Sequence, residues 1–291
     1  MKKNNYLALG GLFVALHLLF IFMSKLLVGS ELILVIFLPL LSTIYALKFN
    51  KKEIAMFVIA SFLLCLIFEP ISTCIYVLPA LICGTLYGVL RKKNVKELGL
   101  VYISSISHSF SLLVSFLFIS FMFKEVDFFA IFASFINKSG AEFYASIYLI
   151  LMLLGLLESF VVNIITSNEL KKLGYKDLES EESVPLWMNV CLLISLIVYI
   201  ILAFVNPIYS CYVFPYLLSF SIPNIVEFIF ANKYKWVYFI VGLFTIISVF
   251  LFSYLDSLLY PGLLLLIVFP LIVTNFIRVL YTNSIKYSNN G

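Results

Sequence analysis

The chain has 291 residues, 63% of them hydrophobic and 12% charged, with a net charge of only +4. A soluble domain runs nearer half apolar and a quarter charged, and some surface always stays outside, so no water-soluble fold hides this much apolar side chain. No Lys/Arg-rich patch is interleaved with exposed aromatics, which leaves a nucleic-acid partner without support.

A lipid bilayer is the solvent that removes the problem. The mean hydropathy is +1.12, and the 30 Phe residues suit lipid-facing surfaces. At the N-terminus, Met1-Lys2-Lys3-Asn4-Asn5 precedes an apolar run from Tyr6 to Ser24. That run is long for a signal peptide and no A-x-A cleavage site follows it, so it reads as a retained first span.

A helix needs about 20 apolar residues to cross the hydrocarbon core. Ten candidate spans follow in order: 6–24, 32–48, 54–69, 71–90, 98–123, 141–167, 186–205, 208–232, 234–254 and 258–280. The third is short and meets the fourth at Glu69-Pro70, so those two are either full spans or a tight hairpin that stops short. The runs are continuous, without the period-2 alternation of a barrel strand. The expected fold is all-α, a polytopic transmembrane helical bundle of about ten spans.

Lys and Arg set the orientation. Of the 19, 16 fall on one side of this alternation and only Lys25, Lys124 and Lys138 on the other. The rich side is read as cytoplasmic, which puts both the N-terminus and the C-terminus inside. Trp187 and Trp236 fall at cytoplasmic span ends, where an amphipathic ring prefers the headgroup level. Outside, the stretch 124–141 holds a short apolar run from Phe128 to Ile136, read as a flat interfacial helix. Inside, the charged stretch 168–185 is the best internal boundary. It separates a six-span region, 1–167, from a four-span region, 186–291, and no convincing sequence repeat relates the two.

Catalytic signatures such as H-E-x-x-H, G-x-S-x-G, a Walker loop or G-x-G-x-x-G are absent from the sequence. No enzymatic activity and no cofactor is expected. The five cysteines form no C-x-x-C pair and lie in apolar stretches, so they read as reduced, small hydrophobes with no metal to hold.

Polar residues at membrane depth carry the most information, because an ionisable group there is costly and usually tied to a partner or cavity. Glu158 lies about nine residues from the cytoplasmic end of the sixth span, or roughly 13 Å at the helical rise. His17 in the first span and His108 in the fifth sit at similar depth. Gathered in one pocket with Ser104 and Ser111, two imidazoles and a carboxylate would make a proton or cation relay. The plainer reading is that each hydrogen-bonds a neighbouring helix. Ser104, His108, Ser111 and Ser115 share one helical face. That face is either a close-packing seam or a polar cavity wall.

Prolines interrupt three candidate spans: Pro39, Pro79, and Pro215 with Pro223. Transporters use broken helices to bind ions, though proline is also common in membrane helices. In the eighth span Asn224 and Glu227 share a face, and Glu227 has Lys233 and Lys235 in reach as partners. On the outer side, Glu69, Ser72, Thr73 and Tyr76 gather near the Glu69-Pro70 turn, with Lys25, Asn137 and Lys138 available from other loops. They read as a ligand mouth or as ordinary solvated residues. Gly11 and Ala15 make a small-x-x-x-small pair in the first span, a helix-association face.

The run Phe37-Leu-Pro-Leu-Leu41, the Glu69-Pro70 turn, and Pro79-Ala-Leu-Ile-Cys-Gly84-Thr-Leu-Tyr-Gly88 before Arg91-Lys92-Lys93 resemble the YybS-like family of bacterial integral membrane proteins. So does Leu170-Lys171-Lys172-Leu173-Gly174-Tyr175 before Val184-Pro185. The first half of that family looks related to the S components of energy-coupling-factor transporters. The resemblance implies a bacterial cell membrane, a small molecule bound on the outer half, and docking on a shared membrane subunit through small residues of the first helix. Gly11 and Ala15 would correspond to those small residues, with Gly at the first position. The four extra spans depart from that plan.

The expected function is therefore transporter-like: a subunit binding or translocating a small molecule, with other transporter subunits or a second copy of itself as partner. Its candidate ligand-binding residues are His17, His108, Glu158, Ser104, Ser111, Glu69 and Tyr76. The alternative is a non-catalytic membrane scaffold or sensor that recruits a cytoplasmic partner through 168–185. An intramembrane enzyme built on the histidines and Glu158 is the third reading.

Overall fold

The structure, a computed structural model, describes residues 5–26, 31–123, 139–176 and 186–230, together with Leu243 and Ile246. It is all-helical, with no strand among the described residues. The helices are α1 (Asn5–Leu26), α2 (Glu31–Lys48), α3 (Lys51–Phe68), α4 (Pro70–Ser72), a π-helical segment (Thr73–Val77), α5 (Leu78–Lys92), α6 (Glu97–Met122), α7 (Gly140–Lys172), α8 (Leu186–Val205) and α9 (Pro207–Phe230).

Among the described residues, five stretches are long and apolar enough to cross a membrane: Tyr6–Met23, Pro70–Lys92, Glu97–Met122, Gly140–Lys172 and Trp187–Val205, with a shorter apolar helix at Leu34–Lys48. Their outer faces are apolar. Phe121, Leu157 and Phe204 are 68%, 66% and 88% exposed. Contiguous bands of this kind mark a surface that meets lipid. The chain is a multi-pass membrane protein.

The ninth and tenth candidate spans, and residues 124–138 of the interfacial stretch, lie outside the described residues, apart from helical Leu243 and Ile246. Two expectations change. The segment beginning at 168 starts as helix: α7 runs on to Lys172, and only then does the chain turn. The prolines also leave their helices whole. The chain stays helical through Pro39, Pro215 and Pro223. Each proline removes only one backbone rung, and buried membrane helices re-satisfy the freed groups. In α2, Ser42 and Thr43 add side-chain bonds to the Leu38 and Pro39 carbonyls at 3.1 and 2.8 Å. Next to Pro79 the pattern does change, as the π-helical turn just ahead of it.

The chain forms two compact units, 1–132 with 150–180, and 133–149 with 181–291. In the first, α2 and α5 cross at the closest range. A Cβ on Gly84 would fall 2.3 Å from the Pro39 carbonyl oxygen, and one on Gly88 2.7 Å from Ala46 Cβ. Only glycines four apart let the two backbones approach this way. Thr43 fastens the crossing by donating to the Gly84 carbonyl at 3.0 Å. Tyr45 of α2 stacks on Phe57 of α3, with ring centroids 4.3 Å apart, and its hydroxyl donates to the Tyr6 carbonyl of α1.

Basic turns collect at one end of this unit. Lys92 Nζ donates to the Phe49 carbonyl at 2.9 Å, and Arg91 Nη2 to the Lys176 carbonyl at 2.7 Å. The turns after α2, α5 and α7 therefore meet. At the opposite end Lys25 pairs with Glu69.

The turns after α5 and α7 are built alike. Leu90-Arg91-Lys92-Lys93-Asn94-Val95-Lys96 parallels Leu170-Lys171-Lys172-Leu173-Gly174-Tyr175-Lys176. In each, a left-handed residue (Asn94, φ 56°; Gly174, φ 81°) follows the helix. Asn94 N bonds the Arg91 carbonyl and Val95 N the Leu90 carbonyl; Gly174 N and Tyr175 N repeat this on Lys171 and Leu170. This double bond pattern closes the last carbonyls of a helix, and lysines there favour its negative end. Val95, Leu90, Leu170 and Tyr175 share one apolar cluster.

In the second unit, Asn206 Oδ1 accepts from Ile208 N at 3.0 Å and opens α9 ahead of Pro207. The Tyr148 and Tyr212 rings meet at a tilt, with centroids 4.9 Å apart, Tyr148 donates to the Tyr212 carbonyl, and Tyr199 faces Phe214.

Candidate functional site: the polar seam of α6 and α7

In the first unit, α6 turns a row of small polar side chains onto α7. Ser104, His108, Ser111 and Ser115 are all 3% exposed or less. Across from them Gly155, Ser159 and Asn163 stand four residues apart on α7, one above another. Gly155 makes the approach possible, since a Cβ there would meet Ser109 Cα at 2.5 Å.

Asn163 is the hub. Its Oδ1 accepts from Ser104 Oγ at 3.1 Å, and its Nδ2 donates to Ser159 Oγ at 3.1 Å and Ser105 Oγ at 3.4 Å. A carboxamide buried in an apolar bundle needs this many partners. One turn further along lies the ionisable pair: His108 Nε2 is 3.1 Å from Glu158 Oε2. The histidine is enclosed, whereas the Glu158 side chain is 39% exposed among the outward-facing Leu154, Leu157 and Val161. The other ring nitrogen, Nδ1, has no hydrogen bond of good geometry among the described residues. The Cys83 thiol of α5 lies against the ring and points on to the Ser104 carbonyl at 3.9 Å.

The expected pocket of three ionisable side chains takes a different form. His108 and Glu158 meet, with Ser104 in the same seam. His17 joins neither: Nδ1 donates to the Phe13 carbonyl at 2.7 Å, Nε2 faces Ser42 Oγ at 3.4 Å, and the ring meets Phe57 edge-on. The reason is packing, because α1 lies on α2 and α3, and equal depth does not make helices neighbours. Ser111 lies in the seam but donates to its own helix, at the His108 carbonyl, 2.6 Å away. Ser109 and Ser115 bond backward in the same way.

Glu69 and Tyr76 lie elsewhere in the unit. Glu69 pairs with Lys25, and Tyr76, in the π-helical segment, borders the apolar core formed by α1, α2, α3 and α5. Gly11 and Ala15 are exposed. They lie along a groove of about 420 Å³ between α1 and α3, whose walls include Gly10, Met56 and Ala60 and whose floor includes Tyr45. The side chains of Asn224 and Glu227 lie outside the described residues.

Sequence reading missed Asn163 and Cys83. The four-residue spacing Gly155, Ser159, Asn163 was the available signal for the first; for Cys83 there was none. The five cysteines are free, and among the described residues no three His, Cys, Asp or Glu side chains are placed to hold a metal. No protein-family model matches the chain, and no curated protein and no solved structure matches it.

Proposed function

We propose that this chain is a transporter-like subunit of the bacterial cell membrane, with ten spans, both ends in the cytoplasm and the basic turns facing inward. The observation that carries the reading is the His108–Glu158 pair. It is a carboxylate held at mid-helix by a buried imidazole, with one edge open on an otherwise apolar face. Such a pair is costly in lipid and serves a path for protons, ions or a small polar ligand. In this reading Glu158 takes up and releases the charge, His108 is its partner, and the Asn163–Ser104 bonds fix the spacing of α6 and α7.

Docking on a membrane partner, as an S-component-like subunit does, would use Gly11 and Ala15. Their exposure along the α1–α3 groove, with nothing within 4 Å of a Cβ on Gly11, supports that role. Gly11→Leu then leaves the fold intact and abolishes co-purification with membrane ATPase subunits.

The direct test is reconstitution in liposomes loaded with a pH-sensitive dye, with proton entry driven by a potassium diffusion potential. Wild-type protein carries the current and Glu158→Gln, which keeps size and hydrogen bonding, abolishes it. Equal dye responses from wild type, Glu158→Gln and empty liposomes would remove proton coupling from the proposal.

A second reading draws on the seam itself. Its serines mostly bond within α6, and Gly155 brings α7 against Ser109, so this interface is packed rather than hollow. That favours a non-catalytic scaffold or sensor, recruiting a cytoplasmic partner through 168–185. In that case Glu158→Gln is silent, and deletion of 177–183 releases the partner.

A further inference from the structure

The basic end of the first unit holds a charge that its surroundings leave unanswered. Arg91, in the last turn of α5, is 7% exposed, an unusual place for a guanidinium. One arm is accounted for, since Nη2 donates to the Lys176 carbonyl at 2.7 Å. The other nitrogen, Nη1, is buried and has no hydrogen-bond partner among the described residues. One turn back on α5, the Tyr87 hydroxyl lies beside Arg91 and Ser167. It too is buried, with no hydrogen bond of good geometry among the described residues. Arg91 Nη1 thus keeps an unmet donor, while the Tyr87 hydroxyl, both donor and acceptor, is engaged only loosely by Arg91 and Ser167.

The charges around them have the same sign. Lys92, Lys93 and Lys96 follow on the α5–α6 turn, and Lys171 and Lys172 end α7. Among the described residues of these two turns and the helix ends beside them, two carboxylates belong to this neighbourhood. Glu169 is engaged by Lys172. Glu97 bears on Tyr87 electrostatically, yet forms no ion pair with Arg91. A buried, half-bonded guanidinium is costly unless something accepts from its free edge.

We infer that Arg91 and Tyr87 form a binding site for a phosphate group at the basic end of the first unit, its oxygens accepting from Arg91 Nη1 and the Tyr87 hydroxyl. Phosphate offers several acceptor oxygens and no need for a donor, the complement of what this corner presents. The same chemistry arrives from two directions: the headgroup of an anionic lipid, which lies at the level where α5 ends, or free phosphate from solution. The site is independent of the His108–Glu158 seam and does not rest on the transporter reading.

The test uses the full chain in detergent micelles. Equal amounts of dioleoyl phosphatidylglycerol and dioleoyl phosphatidylcholine are offered, and the retained lipid is counted by native mass spectrometry at low and high salt. One phosphatidylglycerol is expected to be retained over phosphatidylcholine. The preference should persist at high salt, because a buried pair is screened far less than exposed lysines. Arg91→Gln should weaken retention roughly tenfold or more, the worth of a charge-assisted hydrogen bond. Lys93→Gln, an exposed lysine, should change it less than about twofold. In a parallel arm, millimolar inorganic phosphate replaces chloride at constant ionic strength in a thermal melt. Protection by phosphate without a lipid preference assigns the site to the free anion. If Arg91→Gln fails to fold, the wild-type comparison decides: a salt-resistant preference for either source upholds the site. Equal lipid retention with no effect of phosphate overturns it, and means that Arg91 is answered within the chain or by water.

Discussion

Gly84→Ala adds a single methyl group, and the structure says where it must go. The new Cβ lands 2.3 Å from the Pro39 carbonyl oxygen, 2.8 Å from Ser42 Cβ and 3.0 Å from the Pro39 carbonyl carbon. Two of these are backbone atoms of a helix and cannot swing aside, so α2 and α5 must part by close to an ångström. Overpacking of this kind costs about 1–3 kcal/mol. Parting the helices also stretches the Thr43 bond to the Gly84 carbonyl, now 3.0 Å, for about another 1 kcal/mol. The expected destabilisation is about 2–4 kcal/mol, or a fall in melting temperature of roughly 5–15 °C for a chain of this size. The assay is thermal unfolding in detergent at a fixed scan rate, with Gly11→Ala as control. A Cβ on Gly11 meets nothing within 4 Å, and alanine is the better helix former, so the control should melt at or slightly above wild type. If the two variants melt together, α2 and α5 do not cross at Gly84 and the packing described for the first unit is wrong.

Asn163→Ala removes two side-chain bonds across the α6–α7 seam, to Ser104 and Ser105, and one within α7, to Ser159, but Ser104 can still bond to the Val101 carbonyl at 3.0 Å. The expected cost is accordingly modest, about 1–2 kcal/mol by equilibrium unfolding; a loss above about 4 kcal/mol would mean the seam acts as a single unit. Cysteines placed at Asn50 and Tyr175 should both label from the cytoplasmic side, because the turns carrying them meet through Arg91 and Lys92. Labelling from opposite sides would refute the shared basic end. Tyr175, in the turn after α7, has its phenol pushed above the ordinary value of 10.0 by burial, which outweighs the opposing pull of Arg91. The unfolded chain therefore loses this proton first, so the stability gained from the neutral ring is complete below about pH 10 and declines as pH rises further. Tyr175→Phe should flatten that alkaline decline in a series of melts, and an unchanged slope would show that the ring titrates alike folded and unfolded.

Apolar length located the helices well, because a lipid-spanning segment announces itself by composition alone. The candidate spans before 124 reappear as α1, α2, α3, the run from Pro70 to Lys92, and α6. Depth was legible too: His108 and Glu158 lie at one level because each stands about three to four turns from the basic end of its helix, near the start of α6 and near the end of α7. What the sequence concealed was which helices touch. In a soluble protein a polar stripe marks the outside, but in lipid both the inner and the outer faces of a helix are apolar, so periodicity loses most of its meaning. His17 was grouped with His108 on depth, although α1 packs on α2 and α3 instead. Likewise Gly11 and Ala15 drew notice as an association face, while Gly84 and Gly88, at the same spacing, make the close crossing inside the fold.

The π-helical turn from Thr73 to Val77 has a bearing on how this chain tolerates change. A π turn closes its hydrogen-bonded ring over five residues instead of four, so it acts as a one-residue insertion lodged inside a continuous helix. On one side of it, Gly84 and Gly88 must keep their register against Thr43 and Ala46. On the other, Glu69 must still reach Lys25. The turn is the slack between those two fixed points. Deleting one residue within Thr73–Val77 should relax it to ordinary α-helix and leave both anchors seated, whereas the same deletion between Leu81 and Tyr87 would rotate one glycine out of the crossing. The molecule thus has a place where chain length can be edited by a single step, set a few residues from one where it cannot.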